Sequence, residues 1–256
     1  MSRYTFLNAG FGDTVICRFD SALVMVDCYE TEATGVLLRD AVPEKRIDHL
    51  ILTHRHFDHY FGIEKLLASG ITVGTVWESC WIRKEDDQSI EPAQWAHCQE
   101  LVDVLHAQGS AVRKLSVSWG MFLDIDGYQF TVLNPPDATN EDPASELHDG
   151  CLVVRMVNPA SAGEMMLCGD ANLRVLDKLA NSGTDPGARI LMCSHHGALD
   201  SYHEEFVKKV DPEITVISSL PGTFGLIPEQ VAIDSYARLS RNGIRRTWID
   251  GTIELE

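Results

Sequence analysis

An α/β protein with two β-sheets faced by helices is what this sequence predicts. Apolar β-rich runs alternate with helical patterns almost throughout. Both halves of the chain are rich in such runs, with helices spaced to cover them, which fits two sheets better than one. No repeat period, low-complexity tract or long linker interrupts the alternation, so residues 1–256 read as one domain.

Each element carries its own signal. Tyr4–Leu7, Thr14–Phe19 and Ala22–Val26 read as short strands separated by Gly and Asp turns. Thr31–Ala41 has a helical pattern ended by Pro43. Ile47–Leu52 reads as a strand running into a His-rich loop, Gly62–Ser69 as a helix and Thr72–Trp77 as a strand. Pro92–Gln108 is the clearest helix, with Pro in its first turn and Gly109 just past its end. Phe122–Ile125 and Tyr128–Leu133 flank Asp126-Gly127, a good hairpin turn. Asn134–Asp149 is an acidic loop, long enough to be functional. Cys151–Val157 and Met165–Cys168 read as strands, Leu173–Ser182 as a helix and Ile190–Cys193 as a strand. Ser201 with Glu204 forms a capping box opening a helix to Val210. Ile214–Ser218 reads as a strand, Glu229–Asn242 as a helix stopped by Gly243, and Arg246–Leu255 as a hairpin around Asp250-Gly251.

Composition narrows the function. With 45% apolar and 23% charged residues, the chain is neither disordered nor a disulfide mini-protein. No apolar stretch approaches the roughly 20 residues of a membrane span, and the first residues lack the pattern of a secretory signal. Seven scattered cysteines without a C-x-x-C read as reduced thiols of a cytoplasmic protein. A formal charge of −17 excludes a broad basic face for nucleic acid. It does not exclude a phosphate-bearing substrate, because bound cations would dominate the local field.

The chemistry is concentrated in Thr53-His54-Arg55-His56-Phe57-Asp58-His59, directly after a buried strand. Neutral imidazoles and a carboxylate are good ligands for Zn²⁺ and similar ions. In a loop, His54 and His56 can share one ion while Asp58 and His59 face a second. Further donors lie beside other apolar runs: His148 before the Cys151 strand, Asp170 after Met165–Cys168, and His195-His196 after Ile190–Cys193. Singly, each could be a turn residue. Together with the first cluster they point to a metal site.

The cluster resembles the H-x-H-x-D-H signature of the metallo-β-lactamase-fold hydrolases. The resemblance runs over almost the whole chain and is closest to ComEC-type domains. Phe6-Leu7-Asn8-Ala9-Gly10-Phe11-Gly12-Asp13 resembles their strand and G-x-G-D opening, and Val26-Asp27 their second strand end. Leu167-Cys168-Gly169-Asp170, Ser194-His195-His196-Gly197 and the Arg246–Ile253 stretch follow in the group's order. The resemblance implies an αββα sandwich of two mixed sheets flanked by helices. It implies one ion held by His54, His56 and His148, a second by Asp58, His59 and His196, and Asp170 bridging them. His195 would then be a proton donor or oxyanion contact. Asp58 would also orient the attacking water, and Asp27 would accept a hydrogen bond from a ligand imidazole. The implied cofactors are two divalent ions, zinc first, with manganese or iron also fitting.

Three departures bear on the substrate: Ala198 stands where the group has Ser, His148 and Cys151 where it often has Asn and Ser, and Ile227-Pro228 where it often has His-Pro. Asp13 reads as a turn residue beside glycine, with a site carboxylate as the alternative. Trp77, Trp81 and Trp95 read as packing. Lys208-Lys209 with Arg241, Arg245 and Arg246 read as a solvated face. Two dications sharing a water make hydroxide available near neutral pH, so hydrolysis is the expected reaction. The preferred substrate is a phosphodiester, as a small nucleotide or short single-stranded nucleic acid. A thioester, lactone or β-lactam is the rival, and a catalytically idle scaffold the alternative from another class.

Overall fold

Alternation along the strands sorts apolar side chains onto opposite faces, and that sorting builds the layers. The computed structural model describes residues 3–158, 160 and 163–256. The first sheet contains β1 (Arg3–Phe6), β2 (Val15–Arg18), β3 (Leu23–Val26), β4 (Arg46–Leu52), β5 (Thr72–Ser79) and β6 (Ala111–Leu115). The second contains β7 (Met121–Ile125), β8 (Tyr128–Asn134), β9 (Val153–Val157), β10 (Met165–Leu167), β11 (Ile190–Met192), β12 (Ile214–Ile217) and β13 (Ile244–Arg246). A last strand, β14 (Ile253–Leu255), returns to pair antiparallel with β1. Each sheet has seven strands and is mixed: β3 to β6 run parallel in one, β10 to β13 in the other.

Between the sheets lie Val24, Val26 and Ile51 from one side and Val154, Leu167, Met192 and Val216 from the other. The alternate residues face outward. Leu23, Met25, Leu50 and Leu52 pack against α1 (Leu38–Ala41), α2 (Phe57–Tyr60), α3 (Ile63–Ala68) and α4 (Pro92–Ala107). Met166 and Leu191 pack against α5 (Leu173–Asn181), α6 (Glu204–Val210) and α7 (Gln230–Leu239). The result is the αββα sandwich that the sequence predicted.

The differences from the expected elements have local causes. The helix expected over 31–41 is broken: Gly35, at φ 69°, ends a 3-10 turn at Glu32–Thr34, and only α1 follows. The expected hairpin over 246–255 does not form. β13 pairs in parallel with β12, α8 (Thr247–Asp250) follows, and β14 crosses to the other sheet. Asp250-Gly251 therefore ends a short helix instead of turning a hairpin. α6 is capped by His203, whose Nδ1 accepts from the Phe206 N–H at 3.1 Å, and not by Ser201. α7 stops at Leu239, where Ser240 turns extended and its hydroxyl meets Thr215 Oγ1 at 2.7 Å. The sequence reading missed β6, an edge strand whose Arg113 and Lys114 are exposed.

Candidate metal centre

The topology delivers the chemistry to one end of the sandwich. The turn after β1 brings Gly12-Asp13, the end of β3 brings Asp27, and the end of β4 brings the segment His54–His59. From the other sheet, β10 leads into Asp170 and β11 into His195-His196. β9 is antiparallel to β10, with Val154 opposite Leu167, so His148 just before it reaches the same end. Carboxyl ends of parallel strands are where such sheets place ligands.

Two donor groups meet there. His54, His56, His148 and Asp170 form one, and Asp13, His59, Asp170 and His196 the other; within each, the donor atoms lie within 4.8 Å of one another. Asp170 belongs to both. Its Oδ2 lies 3.4 Å from His54 Nε2, and its Oδ1 lies 3.2 Å from His59 Nε2 and 3.7 Å from His196 Nε2. Asp58 Oδ2 sits 3.2 Å from His196 Nε2 and 3.8 Å from His59 Nε2. His195 Nε2 lies 3.7 Å from Asp170 Oδ2, at the exposed edge. Asp13 is the residue under-weighted in the sequence. It is buried, and its Oδ1 lies 3.3 Å from His196 Nδ1.

Contacts behind the site fix which nitrogen of each ring faces inward. His59 Nδ1 meets Asp27 Oδ2 at 2.8 Å, and that carboxylate also accepts from the Thr53 N–H and hydroxyl, each at 2.7 Å. His196 Nδ1 donates to the Ser218 carbonyl at 3.0 Å, and His56 Nε2 to that of Ser89 at 2.9 Å. Each bond leaves the other ring nitrogen for the centre, the arrangement that orients metal-binding imidazoles. Asp27, His195 and His196 all have positive φ (55°, 48° and 54°), a costly conformation for non-glycine residues that clusters at functional sites.

Two glycines let the backbone close in. A Cβ on Gly12 would meet the Asp58 carbonyl oxygen at 2.3 Å, at the point where the Asp13 N–H donates to that oxygen at 3.0 Å. A Cβ on Gly169, at φ 48°, would meet Cys151 Sγ at 2.6 Å and Thr53 Cβ at 2.8 Å. Gly169→Ala is therefore expected to lower the melting temperature by roughly 4–8 °C, the scale of a strained residue plus an overpacked contact. Unchanged melting would contradict this packing argument.

Burial disfavours the charged form of His54 and His148, holding His54 well below the usual imidazole range and His148 down to about 3. Burial pushes His59 and His196 the same way, but carboxylates outweigh it and raise both: Asp170, Asp27 and Asp58 around His59, Asp13 and Asp170 around His196. Burial alone would raise Asp170, yet the surrounding imidazoles hold it well below the carboxylate range. Asp13, Asp58 and Asp170 are thus buried together without a lysine or arginine against them among the described residues. Such a cluster attracts positive charge.

A pair of divalent ions fits this donor set. His59 Nε2, Asp170 Oδ1 and His196 Nε2 are buried without a well-formed hydrogen bond and belong to one donor group. An unsatisfied buried polar atom costs about 1–3 kcal/mol. A cation would satisfy all three. Beside them opens a cavity of about 310 Å³, lined by His56, Asp58, Asp170, His195 and His196 on one side.

Sequence comparison agrees with this picture. Residues 7–75 match the family model of the metallo-beta-lactamase superfamily. The chain is also 28% identical over 212 residues to ComE operon protein 3 of Bacillus subtilis (strain 168), covering 82% of this chain. The chain spans about a quarter of that protein, 24% of its length. Taken with the fold, these matches support assignment to the metallo-beta-lactamase superfamily. Solved structures share the fold. The metallo-beta-lactamase fold protein YhfI from Bacillus subtilis aligns over 100% of both chains, with a TM-score of 0.61 at 13% identity. Igni18, a metallo hydrolase from Ignicoccus hospitalis, aligns over 99% of both with a TM-score of 0.58 at 14% identity. A diphosphatase from the PhnP family aligns over 100% of this chain and 98% of its own, with a TM-score of 0.54 at 14% identity. The similarity supports a hydrolase, and the His/Asp cluster supports divalent metals. No helix among the described residues is long and apolar enough to cross a membrane, and all seven cysteines are free.

Proposed function

We propose that this single-domain protein is a phosphodiesterase that uses two divalent ions, zinc first among them, on a nucleotide or short single-stranded substrate. The observation that carries the reading is the pair of donor groups sharing Asp170. His54, His56 and His148 would hold one ion, and His59 and His196 the other together with Asp58, which lies beside both rings; Asp170, common to the two groups, would serve both. Asp13 and Asp27 hold the His196 and His59 rings from behind. When bound, the ions supply Lewis-acid charge and lower the pKa of a water. The chain's own groups do the rest. Asp58, beside the ring nitrogens of His59 and His196, orients the attacking water. His195 is held through Nδ1 by the Ser201 hydroxyl at 3.0 Å, leaving Nε2 to deliver a proton to the departing oxygen. The diphosphatase neighbour supports phosphorus as the reacting centre. The free cysteines fit a reducing, cytoplasmic setting.

One observation favours a second reading, hydrolysis of an uncharged thioester or lactone: no lysine or arginine lines the cavity. The test is the metal-loaded protein against bis-p-nitrophenyl phosphate, a single-stranded oligonucleotide and an aryl thioester, with His56→Ala as control. Phosphodiester turnover that His56→Ala removes is expected; thioester turnover alone would replace the first reading with the second. Asp27→Asn is expected to weaken metal binding roughly 10- to 100-fold, as losses of such supporting bonds do. Affinity equal to wild type in a metal titration would remove Asp27 from the site.

A further inference from the structure

The cavity beside the donor cluster has a second wall that the metal chemistry does not use. Phe11, Phe57 and Phe224 line it together with Leu220 and Ile227. The three phenyl rings come from separate segments: the β1–β2 turn, the start of α2 and the loop before α7. Phe224 meets the other two edge to face, with centroids 5.0 Å from Phe11 and 6.3 Å from Phe57, while Phe11 and Phe57 are tilted at 5.4 Å. Tyr29 backs Phe11 at 4.8 Å. Phe224 remains 44% exposed, so water covers part of this apolar wall. Leaving such surface wet is unfavourable, and a pocket wall is where it is commonly used.

We propose that the substrate's non-reacting part is a planar aromatic ring, such as a nucleobase, seated against Phe11, Phe57 and Phe224. The proposal rests on the reading of the neighbouring donors as a two-cation hydrolase centre. The wall and the donors line one cavity, so a ring on it lies next to the reacting ester. Aromatic faces bind flat rings of any sequence, and stacking alone suffices for recognition. Gln94 and Ser219 add polar groups to the same lining. With no lysine or arginine in the lining, a second charged group in place of the ring would lose its water without gaining a partner. A volume of about 310 Å³ is at the small end for ligand pockets and matches one ring with its ester, not a folded polymer. Ile227 adds to the apolar character of this wall.

The test is binding of two singly charged phosphonate esters to the metal-loaded protein by calorimetry: methyl phenylphosphonate, with a ring, and methyl methylphosphonate, without. Wild type is expected to bind the ring-bearing probe roughly ten-fold or more tightly, the scale of base–aromatic stacking. Phe224→Ala and Phe11→Ala should erase that preference and leave the methyl probe unchanged, while Phe224→Tyr keeps it. Phe224 is half exposed in a loop, so its removal spares the fold, and the metal content of each variant is counted on the same sample. Equal binding of the two probes by wild type, or no binding of either, overturns the ring seat. A ring preference lost in Phe224→Ala upholds it even where no phosphodiester is turned over, which would remove only the choice of phosphorus.

Discussion

Asp170→Ala is expected to reduce hydrolysis of bis-p-nitrophenyl phosphate by roughly a thousand-fold or more. Loss of even one neutral electrostatic contact to a reacting centre costs about 10²–10³ in rate. Asp170 is a charged group facing both donor clusters, with one oxygen 3.4 Å from His54 and the other 3.2 Å from His59. Its removal leaves each cluster short of a donor. The residue is 1% exposed and its N–H donates to Cys151 Sγ, so the backbone stays anchored when the carboxylate is gone. Metal analysis accompanies the assay: the variant should hold less metal than wild type. Full turnover with unchanged metal content would remove Asp170 from the chemistry.

Chelation is expected to lower the melting temperature by roughly 8–16 °C. A ligand at about a thousand times its Kd stabilises by about 4 kcal/mol, and a chain of this size shifts by about 2–4 °C per kcal/mol. The metal-free protein should also have a definite pH window. His59 and His196 have folded pKa values above the ordinary 6.5, so their contribution is complete below that value and is lost as pH rises through the folded ones. Asp170 lies below the ordinary 3.8, so its contribution is present above that value and is lost as pH falls through the folded one. Cations replace the imidazole protons, so metal binding should release protons and tighten as pH rises. Calorimetry in buffers of different ionisation enthalpy measures that release. A melting curve that chelator leaves unmoved would contradict the structural weight given to the ions.

The layers and most of the site were legible because they rest on local signals. Alternation at Leu23–Val26 and Ile190–Met192 placed strands on both sides of one core, and His54 to His59 announced their chemistry by density alone. What escaped depended on distant partners. Asp13 beside Gly12 reads as a turn until the chain brings it to His196, far along the sequence. β6 is half polar because it lies at a sheet edge, so Arg113 and Lys114 hid it. The pairing of β13 and β14 with different sheets is decided by neighbours that no Asp-Gly turn signal reports. The three phenylalanines of the cavity are far apart in sequence, and nothing local marks them as one wall.

The number of divalent ions per chain decides the matter most directly. Protein stripped of metal, saturated with zinc and freed of excess ion should contain two per chain by elemental analysis. His196→Ala and His148→Ala should each lower that number while keeping the fold by circular dichroism. A fully reconstituted, folded wild type that holds one ion or none would contradict the account.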